Sequence, residues 1–534
     1  METGEMLQSN ETLLEKREPS SRRSLLYASA GVVAGAAVSM LQSSPAHAHS
    51  QTAAGANFIN VRDYGAVGNG VTLDTTAFNN AIAAASGKAV NIPNGTYLVG
   101  SFTIPLGVTL VFERGAILRP SGMPTITVHG DIEAGHYQIF ELGFSFTETL
   151  TVNRPRVKVE WFGAKSAASF LDSGPQIQYA VNFCQSTRTH VLVFGAGYFY
   201  TNQTITITKP VGIIGQGIHD TTIFGGGSIP SPDPIFHYNG TTTPINDIII
   251  GHMTIRDQYD KRLDGIRTTY LNSTKFEDLF FYGLHVAYRS MVDCWCIAFE
   301  NITVLGCRYG MVLGIGSTDN RIYQSIICGT LTSIAVQGIL NHLVIDSCDF
   351  ESCSAGPIEF QHYPGTITDI EIVNCRFEKN VGSIGTTAGG NIDTFVFRNN
   401  YVENSNNNTA YFLVLRNVSN AIIDGNYFQA PSATVIDAGS SQNTGILAQN
   451  NRCLCANFST RPQNTLNGTP HAYAINNGPG LSPSVEHGTA APASGTYQRG
   501  SIVWHHQPAS GGNAGWICTA AGTPGTWKTF GTIS

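Results

Sequence analysis

The sequence has little charge. Only 13% of its 534 residues are Asp, Glu, Lys or Arg, and the formal net charge is −7. This balance excludes the basic surface that binds nucleic acid, so a polyanionic partner would have to meet local arginines. With 57 glycines and so few charges, the chain is poor material for a helical protein. The composition favours a β-rich fold with many turns.

The first 48 residues have the pattern of an export signal. A twin arginine in SRRSLL precedes the apolar stretch LLYASAGVVAGAAVSML, and AHA at 46–48 offers a small-residue cleavage site. The alternative is an uncleaved anchor, but the stretch is short for a membrane span and rich in Ala and Gly. We therefore expect twin-arginine export of the folded protein to the periplasm or the medium.

Similar phrases recur in the second half of the chain at nearly constant spacing. IDSCDF, IVNCRF, FRNNYV, IDGNYF and AQNNRC follow one another in steps of 27, 25, 26 and 25 residues. The equivalent positions are Cys348, Cys375, Asn400, Asn426 and Asn451. Counting backward continues the series to Cys328, Cys307, Tyr282 and Asp257. Such a period, carried by short apolar strands between Gly, Asn and Ser, predicts an all-β parallel β-helix, a solenoid.

The repeated positions have a physical reason to be Asn or Cys. Equivalent residues of a β-solenoid stack about 4.8 Å apart, so Asn amides can bond along the stack and small Cys side chains can pack inside it. We therefore interpret Cys307, Cys328, Cys348 and Cys375 as a stack of buried free thiols. Disulfides are the alternative for an exported protein with eleven cysteines. A zinc site is disfavoured because CDFESC and CLC lack a matching His.

Two segments combine a glycine-rich turn with a helix start. Asp74 occupies an N-cap position before TTAFNNAIAAAS, and Asp172 precedes SGPQIQYAVNFC in a blurred echo of the same pattern. A solenoid must cap its apolar end, so we expect two successive capping-and-opening units. The first heads a small β unit over 57–150, and the second heads the main β-helix over 155–475.

The opening segments carry a family resemblance. NVRDYGAVGNGVTLDTTAFNNAI and VNIPNGTYLV closely resemble the start of pectate-lyase-like right-handed β-helix proteins, a group that includes polygalacturonases, rhamnogalacturonases, epimerases and tailspike depolymerases. With VEWFGAK and the coil repeats, the resemblance covers roughly 57–470. It implies a right-handed single-stranded parallel β-helix and activity on an acidic or complex polysaccharide. By analogy with tailspikes it also implies a homotrimer. Fold alone does not establish such an activity.

The sequence departs from the catalytic patterns of that group. STD at 317–319 resembles only the first element of the polygalacturonase pattern, and GHM at 251–253 precedes it in the wrong order. RVK at 156–158 lies far upstream, and the chain contains no Asp-Asp pair and no Asp-Pro-His-Asp signature. A standard polygalacturonase or alginate epimerase is therefore not expected.

Five polar residues fall at similar distances from the repeated positions. They are Arg267, Asp293, Asp319, Gln337 and Glu359, at offsets of 9 to 12 residues. Similar offsets predict one column on one face, with Asp293 and Asp319 about 5 Å apart and Asp319 and Glu359 about 10 Å apart. The alternative is that these five residues are simply exposed turn residues.

The column suggests two chemistries, with Arg321 and His362 beside it as helpers. In a hydrolase, Asp319 would pair with Asp293 or Glu359 as nucleophile or base and acid. In a lyase, His362 would take a sugar proton while an arginine stabilises the anion. Catalysis thus rests on Asp293, Asp319, Glu359 and His362, and substrate binding on Arg267, Arg321 and Gln337.

A second acidic column is predicted at an offset of three residues. Its members are Asp260, His285, Glu351, Glu378 and Glu403. Three glutamates at strand spacing repel one another unless they are solvated or bind a metal. A solvated turn edge is the preferred interpretation and calcium the alternative, so no cofactor is otherwise expected.

The tail differs in composition from the rest of the chain. Residues 485–534 are rich in Gly, Ala, Thr and Pro and contain Trp504, Trp516 and Trp527. We predict a small C-terminal β module in which these tryptophans either stack on sugars or fill a small core. The chain as a whole is best interpreted as an exported polysaccharide lyase or glycoside hydrolase. A non-catalytic glycan-binding surface protein is the alternative, and a virion tailspike is disfavoured by the export signal.

Overall fold

The structure is a computed structural model, and it describes most of the chain beyond the export signal. The described residues are 58–148, 156–167, 170–361, 366–386, 391–403, 411–437, 446–459, 473–475, 483, 485–494, 497–505 and 507–534. The predicted signal at 1–48 and His362 lie outside them. Within them, no helix combines the length and the apolar character needed to cross a membrane.

The first opening unit is a short stack of parallel strands with one helix. Helix α1 (Thr75–Ala85) buries Phe78, Ala81 and Ile82, as its apolar spacing predicts. Asp74 is its N-cap residue, but the carboxylate accepts from Val67 N and Gly68 N instead of from the helix. The strands are Phe58–Asn60, Asn69–Leu73, Ala89–Ile92, Gly95–Val99, Phe102–Ile104, Thr109–Phe112, Ala116–Pro120, Thr125–Val128, Asp131–Glu133 and Ser145–Thr147.

The second opening unit repeats this arrangement and leads into the main solenoid. Helix α2 (Gly174–Thr187) has Ser173 as its N-cap residue, while Asp172 accepts from Gly174 N and Asn202 N. A short 3-10 helix precedes the α-helix in each unit, at Val61–Tyr64 and Val159–Phe162. The repeated sequence pattern therefore corresponds to a repeated structural arrangement.

From Val157 the strands pair in parallel, coil after coil, on three sides of the solenoid. We call the sides sheets 1, 2 and 3. Sheet 1 contains Ile205–Ile207, Pro234–Asn239, Asp264–Thr269, Val286–Ser290, Tyr309–Leu313, Thr332–Val336, Gly356–Phe360, Ile384–Thr386 and Tyr411–Val414.

Sheet 2 follows sheet 1 along each coil. It contains Val157–Lys158, Val191–Val193, Gly212–Ile214, Ile245–Asn246, Ser317–Tyr323, Leu340–Asp346, Thr366–Val373, Asn391–Arg398, Val418–Asp424, Ile446–Gln449 and Tyr473–Ile475. Sheet 3 contains Gly197–Thr201, Thr221–Gly225, Ile326–Cys328, Asp349–Glu351, Arg376–Glu378, Tyr401–Glu403, Tyr427–Asp437 and Arg452–Ser459. Ile249–Asp257, Leu271–Tyr282 and Trp295–Leu305 run through both.

The fold prediction is confirmed: the chain is an all-β parallel β-solenoid of about 14 turns, the architecture of a right-handed β-helix. The forward ladder is also confirmed, because the strand registers align Cys348, Cys375, Asn400, Asn426 and Asn451. Each Asn bonds along the stack as expected. Asn400 Nδ2 donates to Asn426 Oδ1 at 3.2 Å, and Asn426 Nδ2 donates to Asn451 Oδ1 at 2.8 Å.

The backward continuation of the ladder is wrong. Cys328 pairs with Glu351, so the residue equivalent to Cys348 is Ser325, which bonds to Ile302 N one coil earlier. Cys307 belongs to a separate column with Thr330 and Cys353, closed by Asn380. The coils before Cys348 are shorter, and a change in coil length shifts every later assignment made by counting.

The prediction of free thiols holds even though the cysteines occupy different columns. Cys307, Cys328, Cys348 and Cys375 are all buried and unbridged. Burial raises the pKa of the Cys307 thiol to about 12, which keeps it protonated and inert. These side chains therefore act as small hydrophobic core residues.

The C-terminal segment forms a four-stranded sheet of its own. Its strands are Val485–Gly488, Ile502–His505, Asn513–Ala520 and Thr526–Thr532, the first pair parallel and the rest antiparallel. The expected domain limits at 57–150, 155–475 and 485–534 stay predictions.

Candidate active site on sheet 1

One column of side chains on the outer face of sheet 1 carries an unusual set of charges. The strand registers align His237, Arg267, Arg289, Val312, Ala335 and Glu359 in successive coils. Neighbours in such a column are about 4.8 Å apart. The alternation of the strands explains the arrangement, since Ile266 and Tyr288 point into the core and the next residues point outward.

A buried carboxylate holds the basic end of this column together. Asp264 is fully buried and accepts from Arg289 Nε at 2.8 Å and from Arg267 NH2 at 3.0 Å, while His285 Nδ1 lies 3.0 Å away. Burial alone would raise the pKa of Asp264, but the bonds from His285 and the two arginines outweigh it, and the pKa is lowered. Two guanidinium groups and an imidazole thus converge on one carboxylate, and both arginine side chains are only 18% exposed. We call His237, Asp264, Arg267, His285 and Arg289 the basic cluster.

His237 is the member of the basic cluster best placed to act as a base. It lies beside Arg267 in the column. Burial lowers its pKa, the positive charge of Arg267 lowers it further, and Asp233 opposes the change. The imidazole is therefore neutral at pH 7 and able to accept a proton.

The middle of the column is apolar. Val312 and Ala335 are buried although they lie on the outer face, and with Val286 they form a cluster separate from the main core. The half-buried Tyr309 packs against them, and its ring also faces His285 with centroids 5.8 Å apart. The middle of the column is therefore an uncharged, covered step between the basic cluster and the far end.

The far end of the column is a carboxylate bound by neutral groups. Glu359 accepts from Thr332 Oγ1 at 3.0 Å and from Gln361 Nε2 at 3.3 Å. Gln361 in turn accepts from Gln337 Nε2 at 3.0 Å. Arg267, Gln337 and Glu359, all predicted from sequence, therefore belong to the surroundings of sheet 1.

The predicted single column of Asp293, Asp319 and Glu359 is wrong. Asp319 is in register with Cys296 and His342 on sheet 2, whereas Glu359 is on sheet 1. Asp319 Oδ1 lies 2.7 Å from His342 Nδ1. Asp293 follows the sheet 1 strand Val286–Ser290, at the level of Gly316 in the next coil. Counting from misassigned ladder positions caused the error.

The remaining predicted residues are dispersed. Arg321 is exposed on sheet 2, and His362 lies outside the described residues. The catalytic role of Asp293, Asp319, Glu359 and His362 stays a prediction, as does the binding role of Arg321. The residues that sequence reasoning missed are His237, Asp264 and Arg289, whereas it assigned His285 to the second acidic column. The signal that could have found three members of the column is the shared fourth position of PIFHYN, DGIRTT and VAYRS.

The second predicted column is confirmed in part. Glu351, Glu378 and Glu403 are in register on sheet 3, but His285 and Asp260 are not in that column. Cations accompany the glutamates, since Arg376 bonds Glu378 and Lys379 Nζ lies 3.4 Å from Glu351. Among the described residues, no group of three or more His, Cys, Asp or Glu side chains is arranged to hold a metal ion.

The tryptophans of the tail lie on both faces of its sheet. Trp504 is 40% exposed and meets the Phe530 ring edge to face at 5.3 Å, across Gly515. Trp516 stacks on His505 on the other face, and Trp527 packs against Tyr497. Sugar binding by Trp504, Trp516 and Trp527 stays a prediction.

Comparison with known proteins supports the resemblance seen in the sequence. Residues 58–116 match the family described as rhamnogalacturonase A/epimerase, pectate lyase-like. A probable polygalacturonase of Vitis vinifera is 31% identical over 104 residues, which is 16% of this chain and 21% of that protein. The recognition of pectate-lyase-like β-helix sequence is thus confirmed for the first opening unit.

The solved structures similar to this chain include a tailspike protein and a surface adhesin. The Dettilon tailspike protein is 14% identical, with 60% of this chain and 66% of that chain covered at a TM-score of 0.47. The surface protein and adhesin PfbA of Streptococcus pneumoniae is 12% identical, with 60% and 97% covered at a TM-score of 0.38.

Proposed function

We propose that this protein is an exported enzyme that binds an acidic polysaccharide along sheet 1 and cleaves it by β-elimination. The observation that carries the proposal is the alignment of His237, Arg267 and Arg289 in adjacent coils, with Asp264 buried behind them. The match of the first opening unit to a pectate-lyase-like family supports a polysaccharide as the partner.

Four residues of the basic cluster have a role in this reaction. Arg267 and Arg289 bind the carboxylate of a 4-linked uronate, and their charge stabilises the carbanion that develops next to it. Neutral His237 removes the proton from C5 of that sugar. The C4–O4 bond breaks as a C4=C5 double bond forms, and the departing oxygen takes a proton from water. Asp264 touches no substrate; it is a positioning residue that holds both arginines.

The apolar stretch explains why the polymer would lie along the solenoid axis. Val312 and Ala335 follow Arg289 in the column and carry no charge, so an uncharged sugar would face this stretch. Glu359 lies two strands beyond Val312 and would repel a second uronate there. A polymer in which uronates alternate with neutral sugars would fit this charge pattern.

A second candidate is hydrolysis at a pair of glutamates on sheet 2. Glu277 and Glu300 are in register, and both contact Lys275 Nζ, at 2.8 and 2.7 Å. They share one ammonium group, so their separation is close to the ~5–5.5 Å of a retaining glycosidase. The shared lysine engages both carboxylates and offsets part of their charge, which makes this candidate secondary.

The test is a panel of acidic and neutral polysaccharides with two readouts, reducing ends and the ultraviolet absorbance of unsaturated uronates. We expect both signals, and only on uronate polymers. Reducing ends without absorbance would replace elimination by hydrolysis. Neither signal across the panel would favour a glycan-binding surface protein.

A further inference from the structure

A cavity of about 660 Å³ lies at the corner between the two opening units. Its lining includes His136 from the first unit and Glu160, Lys165, Gly195 and Gln216 from the second. None of these residues belongs to sheet 1 or to the basic cluster. We call this cavity the corner pocket.

Glu160 brings an unsatisfied acceptor into the corner pocket. The residue is 9% exposed and sits in the short helix Val159–Phe162. Its Oε1 accepts from Gly195 N at 2.8 Å, but its buried Oε2 has no hydrogen-bond partner. His136 Nδ1 lies 3.2 Å from that oxygen without completing a hydrogen bond. Because an unpaired buried acceptor is costly, this oxygen is prepared for a donor from a ligand.

Gly195 keeps the pocket open at the carboxylate. A Cβ atom on Gly195 would lie 2.3 Å from Glu160 Oε1 and 2.8 Å from His136 Nδ1. Any larger residue would therefore displace one of these two side chains. A glycine at this point serves close approach to polar groups rather than a left-handed turn, since no positive φ is recorded there.

In the first opening unit, a side chain occupies the position that corresponds to the corner pocket. Arg62 occupies the position of Glu160, since each is the second residue of a 3-10 helix that ends before a left-handed glycine. Arg62 donates to Tyr97 Oη at 3.3 Å and to Asn94 O at 2.7 Å, so its side chain closes onto the neighbouring loop. The second unit has Phe199 in the place of Tyr97 and lacks that hydroxyl. The hydrogen-bonded cation Arg62 is thus replaced in the second unit by Glu160, an anion with one unpaired oxygen. This difference indicates a binding site rather than a structural contact.

We propose that the corner pocket binds a neutral saccharide of one or two sugar units. A sugar hydroxyl would donate to Glu160 Oε2, and His136 would bond a second hydroxyl. The volume lies within the ~300–1,000 Å³ range of small-ligand pockets. The buried carboxylate would repel a uronate, so the pocket selects against the sugar that the basic cluster attracts. The choice of a saccharide rests on the proposed function, whereas the site itself rests on Glu160 and Gly195.

The proposal is tested by calorimetric titration of the full-length mature protein with glucose, galactose, rhamnose, cellobiose, maltose and galacturonate. We expect at least one neutral sugar to bind, and galacturonate to bind at least tenfold more weakly. Glu160→Gln and Gly195→Ala should each lower the affinity for that sugar at least tenfold. The matched control is Arg62→Ala in the first unit, at the position equivalent to Glu160, which should bind like the parent.

Thermal unfolding of each variant separates misfolding from loss of the site, and Glu160→Gln keeps the test open if Gly195→Ala fails to fold. The proposal is overturned if no neutral sugar binds, if galacturonate binds equally well, or if folded Glu160→Gln binds like the parent. Polysaccharide cleavage is an independent readout. A protein that binds the sugar but cleaves nothing would refute the proposed function and leave the corner pocket standing.

Discussion

The two ends of the sheet 1 column are held by different forces. At one end, the fully buried Asp264 bonds two arginines and a histidine. At the other end, the partners of Glu359 within the described part of the chain are a threonine hydroxyl and a glutamine amide. The same sheet therefore carries a charge-organised end and a neutrally organised end, three strand spacings apart from Arg289 to Glu359.

The two ends should therefore differ in how much free energy of unfolding is lost when a residue is substituted. Removing one partner of a buried ion pair costs about 3–5 kcal/mol because it leaves an uncompensated charge. Losing a neutral hydrogen bond costs about 1 kcal/mol. The basic end should therefore resist substitution and is suited to stabilising a developing anion. The carboxylate end should tolerate substitution more easily and is suited to discriminating between charged and neutral sugars. The following experiments test that contrast.

The largest effect is expected from His237→Ala. Loss of the general base should lower kcat for uronate elimination by about 10²–10⁴-fold and leave KM nearly unchanged. The assay is ultraviolet absorbance on the best polymer of the panel. His219→Ala removes an exposed histidine and is the control. A parent-like kcat for His237→Ala would remove it as the base.

Asp264→Asn should be the most destabilising change on sheet 1. It leaves Arg267, Arg289 and His285 around a neutral amide, and we expect a loss of about 3–5 kcal/mol in the free energy of unfolding. Thr332→Val at the opposite end should cost only about 1 kcal/mol. Urea denaturation measures both. Equal losses would refute the contrast between the ends.

Arg289→Ala and Glu359→Gln should move activity in opposite directions on polymers rich in uronate. Losing the arginine removes a charge-assisted bond to the substrate, and we expect kcat/KM to fall about 10–100-fold. Neutralising Glu359 should raise kcat/KM a few-fold on a polymer of contiguous uronates, because a repulsion disappears. If Glu359→Gln instead abolishes turnover, Glu359 is a catalytic residue as the sequence predicted.

The smallest effect is the dependence of stability on acid. The pKa of Asp264 is lowered in the folded protein, so its contribution is present above the unfolded value of about 3.9 and is lost as pH falls through the folded value. Stability should therefore fall below about pH 4 in the parent, and less steeply in Asp264→Asn. Urea midpoints from pH 3 to 7 provide the comparison. Parallel curves would show that Asp264 does not titrate in this way.

The sequence predicted the fold because successive coils of a solenoid repeat the same residue pattern. Asn400, Asn426 and Asn451 recur at nearly constant spacing, and each bonds its neighbour as a stacked amide must. The candidate site was predicted less well, because counting residues works only while coil length is constant. Because Cys328 and Cys307 were both misassigned, Asp319 was predicted on the face of Glu359, whereas it lies on sheet 2. Asp264 was missed because it precedes the column by three residues, and only the folded chain brings it behind Arg289.

The number of coils between Arg289 and Glu359 determines the distance between the two charged ends of the column. Each coil contacts only its neighbours, so a coil gained between Arg289 and Glu359 would leave both ends intact and move them about 4.8 Å further apart. The distance between the positive end and the negative end of the column is therefore set by a whole number of coils. Duplicating a coil would change the spacing of these charges along the solenoid without altering a single residue of either end.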